Sequence, residues 1–158
     1  MGEQERQARL IIVCGLPGSG KTTHAKALES RLGAVRFCAD DWLNALSLSL
    51  WDADSRAKVE ALQWALGQQL LAQGVSIIIE WGTWARAERD ALRLGARALG
   101  AAAELHYLPA QPDVLFERIS LRGMEEPPIR REQLSEWLEQ FQAPTPEEMA
   151  FFDAPLST

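Results

Sequence analysis

Gly15-Leu16-Pro17-Gly18-Ser19-Gly20-Lys21-Thr22 follows the apolar run Leu10-Ile11-Ile12-Val13-Cys14 and opens a helix-like stretch from Lys21 to Leu32. The octet satisfies G-x-x-x-x-G-K-[ST] in full, in the strand-then-helix context that gives the pattern meaning. Glycine reaches backbone angles closed to residues with a Cβ, so successive N–H groups can turn inward. With a helix N-terminus behind them, those groups cradle a phosphate. Lys21 adds a positive charge for the β- and γ-phosphates, and the Thr22 hydroxyl is placed to ligate Mg²⁺. The phosphate-contacting set is Gly15, Pro17, Gly18, Ser19, Gly20, Lys21, Thr22 and Thr23. ATP or GTP binding follows.

Outward from this loop, strand and helix signals alternate. Gly33 stops the first helix, and Ala34–Cys38 reads as a second strand. Asp40-Asp41 can cap a short helix through about Leu50. A longer helix is expected over Asp54–Gln73, with Val59, Leu62, Leu66 and Leu70 as its inward stripe. Val75–Ile79 is nearly all β-branched, as a strand buried on both faces should be. A helix over Arg86–Leu99, a weaker strand over Leu105–Leu108 and a helix over Pro112–Leu121 follow. The alanines of 96–103 read as a helix end. A last helix presents Leu134, Trp137, Leu138 and Phe141, and the tail 143–158 offers no long strand. The alternation implies an α/β domain spanning 1–158, with a mainly parallel sheet.

The chain has 158 residues, enough for one domain that needs no disulfide or structural metal. No apolar run approaches the ~18 residues of a membrane span. Residues 1–9 are polar, with no signal-peptide core. Cys14 and Cys38 lie in apolar runs and read as buried, reduced thiols, which suits the cytoplasm. The net charge of −6 does not attract nucleic acid. No N-K-x-D guanine-reading motif is present, and the length leaves no room for the accessory domains of motor ATPases. Both facts favour a small kinase.

Transfer of a phosphoryl group requires a proton acceptor facing the γ-phosphate. Asp40-Asp41 stands at the carboxyl end of the second strand, where ligands bind in open α/β sheets. Asp40 is favoured as the base, with Asp41 the alternative and helix capping open to either. Glu80 ends the third strand, where an acid can hold Mg²⁺ through water; a solvent-facing carboxylate is the other reading. Trp42, Trp81 and Trp84 suit an acceptor pocket or the core equally. Trp64 and Trp137 read as core.

Arginine outnumbers lysine thirteen to three. Arg86, Arg89, Arg93 and Arg97 share one helix face and read as a solvated stripe. Arg118 and Arg122 are four apart and lead into the loop Gly123–Pro128. A lid over about 118–131, closing its arginines on the phosphoryl group, is one reading; ion pairs with Glu117 or Glu125 are the other.

These marks together resemble the small kinases of the polynucleotide kinase, zeta-toxin and chloramphenicol phosphotransferase group. The resemblance spans about 10–149. It rests on GLPGSGKTT at 15–23, Asp40-Asp41, EWGTWARAERDALR at 80–93, R-x-x-x-R-G at 118–123 and PTPEE at 144–148. It implies a three-layer P-loop fold with strand order 2-3-1-4-5, the fifth strand short or missing, and a helical lid. It also implies γ-phosphate transfer to a hydroxyl, with Asp40 as base and Arg118 and Arg122 as lid arginines. Leu43 stands where polynucleotide kinases carry a phosphate-holding arginine, and Glu80 stands where the group often has Asp. The expectation is an Mg-ATP-dependent phosphotransferase acting on a small-molecule hydroxyl, with catalytic Asp40, Lys21, Arg118 and Arg122 and metal-holding Thr22 and Glu80. Nucleic acid is set aside as a partner. The alternatives are a polynucleotide or RNA-end kinase and a nucleotide-binding ATPase that phosphorylates nothing.

Overall fold

A computed structural model describes residues 6–156. The expectations placed on residues 1–5 and 157–158 lie outside them. The strands are β1 (Arg9–Cys14), β2 (Val35–Phe37), β3 (Ile77–Ile79) and β4 (Ala102–Tyr107). The helices are α1 (Lys21–Leu32), α2 (Ala39–Ala45), α3 (Ala53–Ala72), α4 (Arg86–Ala98), α5 (Pro112–Arg122), α6 (Arg131–Gln140) and α7 (Pro146–Met149).

The four strands form one parallel sheet in the order β2-β3-β1-β4. Side chains alternate along a strand, so β1 serves two cores. Leu10, Ile12 and Cys14 face the layer of α3 and α4, with Phe37, Leu92 and Ala96. Ile11 and Val13 face α1, with Ala25 and Leu28. A third cluster, Leu16, Leu115, Ile119, Ile129 and Leu134, joins α5, α6 and the loop between them into a helical lid region against the Gly-rich loop.

The fold departs from the sequence pattern in three of these elements. The alanines at 101–103 are not a helix end; they are buried, and Ala102 and Ala103 begin β4, which pairs with β1 over six residues. Small side chains suit that strand because α4 packs closely upon it. On α3 the buried face is Val59, Gln63, Gly67 and Leu71, whereas Leu62 and Leu66 are exposed. Gly67 lets the helix approach the sheet, since a Cβ there would lie 2.8 Å from Ile77 Cδ1. The start of α2 carries no side-chain cap, so neither Asp40 nor Asp41 caps it. No fifth strand forms among the described residues, in keeping with the expectation that it is short or missing. Instead Asp153 N donates to Ala103 O at 2.7 Å, and its carboxylate accepts from Ala103 N at 2.9 Å.

The arginine stripe of α4 is not a free solvated face; it holds the tail, although Arg86 and Arg97 each stay 38% exposed. Arg89 is fully buried against Glu148. Arg93 lies over the Phe151 and Phe152 rings, and Arg97 pairs with Asp153 at 3.0 Å. The periodicity was right about the shared face. What covers that face is a segment more than forty residues away, beyond the reach of a periodicity argument.

Candidate active site

Three segments leave the sheet at the same edge: the Gly-rich loop after β1, Asp40-Asp41 after β2, and Glu80–Trp84 after β3. They line one cavity of about 830 Å³, with α5 and α6 contributing its other side. This is the crevice beyond the strand ends where open α/β sheets bind ligands.

The loop is held tightly. Gly18 has φ 83°, and a Cβ there would lie 2.7 Å from Leu115 O. Gly20, at φ 96°, starts α1 without a side-chain cap, leaving the first N–H groups of the helix available for an anion. Pro17, Gly18, Gly20, Lys21, Thr22 and Thr23 line the cavity. Gly15 and Ser19 do not; they pack beneath the loop, and the buried Ser19 hydroxyl has no hydrogen-bond partner. Lys21 Nζ donates to Leu16 O at 3.0 Å. Burial lowers its pKa to about 8, against the pull of Glu80 and Asp40 in the other direction.

Glu80 is buried, which rules out the solvent-facing reading. Its Oε1 accepts from Thr22 Oγ1 at 2.7 Å and its Oε2 from Arg36 Nη1 at 2.8 Å. Arg36 also donates to Asp41 at 2.7 Å, so Asp41 is committed to an ion pair. A threonine hydroxyl beside a buried carboxylate is a set of hard oxygen donors, and such a set fits Mg²⁺.

Asp40 lies 2.7 Å from Arg56 Nη2, through Oδ1. The guanidinium N–H bonds are not aimed at that oxygen, and Oδ1 accepts no hydrogen bond. Oδ1 is thus buried against Arg56, while the Asp40 side chain as a whole stays 34% exposed where it lines the cavity. Arg118 Nη1 donates to Gly18 O at 3.2 Å, and Arg122 pairs with Glu125 at 2.6 Å. Both arginines line the cavity.

Trp81 and Trp84 line the cavity, while Trp42 packs on the core. Trp137, expected in the core, is half-buried at the cavity wall between Trp51 and Trp84, with ring centroids 6.1 and 5.7 Å apart. Arg36, Trp51, Arg56, Glu60 and Glu88 escaped the sequence reading. Arg36 had left a signal, as the one charge in an otherwise apolar second strand. Arg56 and Glu60 were hidden by the stripe assigned to α3, because the true buried face turns them toward the cavity.

A family model described as an AAA domain matches residues 10–144. No curated protein matches the chain. Among solved structures, a gluconokinase from Sinorhizobium meliloti 1021 is 25% identical, with a TM-score of 0.64, over 91% of this chain and 81% of its own. A sugar kinase from Janibacter sp. HTCC2649 is 24% identical, with a TM-score of 0.63, over 89% of this chain and 81% of its own. A chain of the Pnkp1/Rnl/Hen1 RNA repair complex is 22% identical, with a TM-score of 0.69, over 84% of this chain and 43% of its own. The fold is that of ATP-binding P-loop kinases, which are phosphotransferases.

The RNA repair likeness overturns the expectation that set nucleic acid aside. A net charge of −6 averages the whole surface, whereas Lys21, Lys26, Arg118 and Arg122 gather at the cavity. Leu43 carried the other half of that expectation, but it is fully buried and says nothing about what the rim can meet. No described helix is long and apolar enough to cross a membrane.

Proposed function

The chain belongs to the AAA domain family, and on that premise we propose that it transfers the γ-phosphate of Mg-ATP to a hydroxyl of a small molecule in the cytoplasm. One observation carries the reading: Asp40, paired with Arg56 and with its side chain still 34% exposed, lines the same cavity as the phosphate loop. A nucleotide switch needs the loop and has no use for that carboxylate.

In this reading the loop amides and Lys21 hold the phosphates. Thr22 would hold Mg²⁺, with Glu80 orienting the hydroxyl and acting through water. The metal supplies neutralisation of the phosphate charge. Arg36 fixes the direction of the Glu80 carboxylate. Asp40 takes the acceptor proton, with Arg56 holding its carboxylate in position. Arg118 and Arg122 counter the negative charge that spreads over the transferring group. Trp81 and Trp84 wall the acceptor.

A second reading, an RNA-end kinase, is supported by the RNA repair likeness and by the basic residues at the cavity. Transfer from γ-labelled ATP to sugars, nucleosides, antibiotics and 5′-hydroxyl oligoribonucleotides separates the two. Stimulation of ATP turnover by no acceptor would leave the chain an ATPase.

A further inference from the structure

The backbones of β2 and β3 separate just where the cavity begins. The bond from Glu80 N to Phe37 O, at 3.1 Å, is the last backbone hydrogen bond between them among the described residues. From there Cys38 leads into α2, which carries Asp40, and Trp81 leads from Glu80 into the cavity wall. The side chain of Gln63, on the buried face of α3, spans the gap. Its Nε2 donates to Cys38 O at 3.1 Å, and its Oε1 accepts from Trp81 Nε1 at 2.7 Å. Cys38 is two residues from Asp40, and Trp81 follows Glu80 directly.

Glutamine is mostly an exposed residue, yet Gln63 is fully buried. Desolvating an amide is costly unless both of its ends find partners, and here both do. The two partners dictate the side chain between them. An indole N–H only donates and a carbonyl only accepts, so the middle group must accept on one side and donate on the other. An amide does both, leucine does neither, and a carboxyl does both only while protonated. Arg56, on the same helix, meets Asp40 itself. Thus α3 holds the Asp40 segment at two points and the Glu80 segment at one.

We propose that Gln63 is a positioning residue for phosphoryl transfer: its amide fixes the spacing between the segment that carries the base, Asp40, and the segment that carries the metal-side carboxylate, Glu80. This role rests on the phosphotransferase reading above. It bears on the reacting geometry rather than on nucleotide binding. Gln63 does not line the cavity, and the phosphate loop follows β1, which lies beyond β3 from β2. A misplacement of about 1 Å in a reacting group can cost about 10²-fold in rate.

Two variants test this in single-turnover transfer from γ-labelled ATP, using whichever of glucose, adenosine, kanamycin and a 5′-hydroxyl oligoribonucleotide the parent phosphorylates. Gln63→Leu removes both hydrogen bonds. Its transfer rate at saturating acceptor is expected to fall about 10²-fold, with ATP affinity within about twofold. Gln63→Glu introduces a carboxyl that matches the amide on both sides while protonated and loses its donor when ionised. Burial, with no cation among its hydrogen-bond partners, raises the pKa of that carboxyl. From about pH 5 to 9 the Gln63→Glu rate relative to the parent should therefore start near unity and fall, with ATP affinity held, while the Gln63→Leu ratio stays flat. A Gln63→Glu ratio that does not change with pH overturns the role. So does a loss of ATP affinity in step with transfer, which marks a residue that only supports the fold. If Gln63→Leu does not fold, the Gln63→Glu profile decides alone. If the parent phosphorylates none of the acceptors, the phosphotransferase reading itself fails and this role falls with it.

Discussion

Arg89 and Glu148, 59 residues apart, form a doubly hydrogen-bonded ion pair inside the protein, at 2.7 and 2.8 Å. The same guanidinium donates to Thr83 O and Gln142 O, both at 2.7 Å. One side chain thus ties the tail to the segment that walls the cavity. Removing one partner of a buried pair leaves the other charge uncompensated, at a cost of about 3–5 kcal/mol. Glu148→Ala should lower the free energy of unfolding in urea by that amount. A change under about 1 kcal/mol would show that the tail contributes little to the fold.

Asp40 and Asp41 are neighbours with different commitments. Asp41 shares Arg36 with the buried Glu80, whereas Asp40 pairs with Arg56 of α3. Asp40→Asn keeps the size and loses the base, so transfer should fall by about 10²–10⁴ with ATP affinity within a few-fold. Asp41→Asn should have the smaller effect on the rate. The reverse ranking in single-turnover transfer would move the base to Asp41.

Arg122 is held by Glu125, at the start of the loop between α5 and α6. A lid arginine that meets the phosphoryl group at the transition state acts on kcat rather than on ground-state binding. Arg122→Ala should reduce kcat about 10²-fold while nucleotide affinity stays within a few-fold. Arg118→Ala should show the same pattern more weakly, because its guanidinium already rests on Gly18 O. Wild-type kinetics in the double variant would remove the lid role from both.

Glu60 gives a pH signature. Burial raises its pKa from 4.5 to about 7. Between those values the folded chain keeps a proton that the unfolded chain releases, so stability declines as pH rises through that window. Glu60→Gln has no charge to bury. Its melting temperature relative to the parent should therefore be higher at pH 8 than at pH 4.5. A difference that does not vary with pH would place Glu60 in solvent.

The sequence by itself determined the phosphate loop, the parallel α/β alternation and the carboxylates after the second and third strands. Each is local: glycines at fixed offsets, a β-branched run, and an acid where a strand ends. It also placed Arg118 and Arg122 beside one another by their four-residue spacing. Tertiary structure decided the rest. Which face of α3 is buried depended on Gly67 admitting the sheet, and that rotation set Arg56 and Glu60 at the cavity. Whether the arginines of α4 meet water or protein depended on where residues 142–153 return. Trp51 and Trp137 became neighbours only when α6 met the segment that precedes α3. Periodicity along one helix reports that a face exists; what covers it is fixed by contacts between segments far apart in the chain, and no local pattern encodes those.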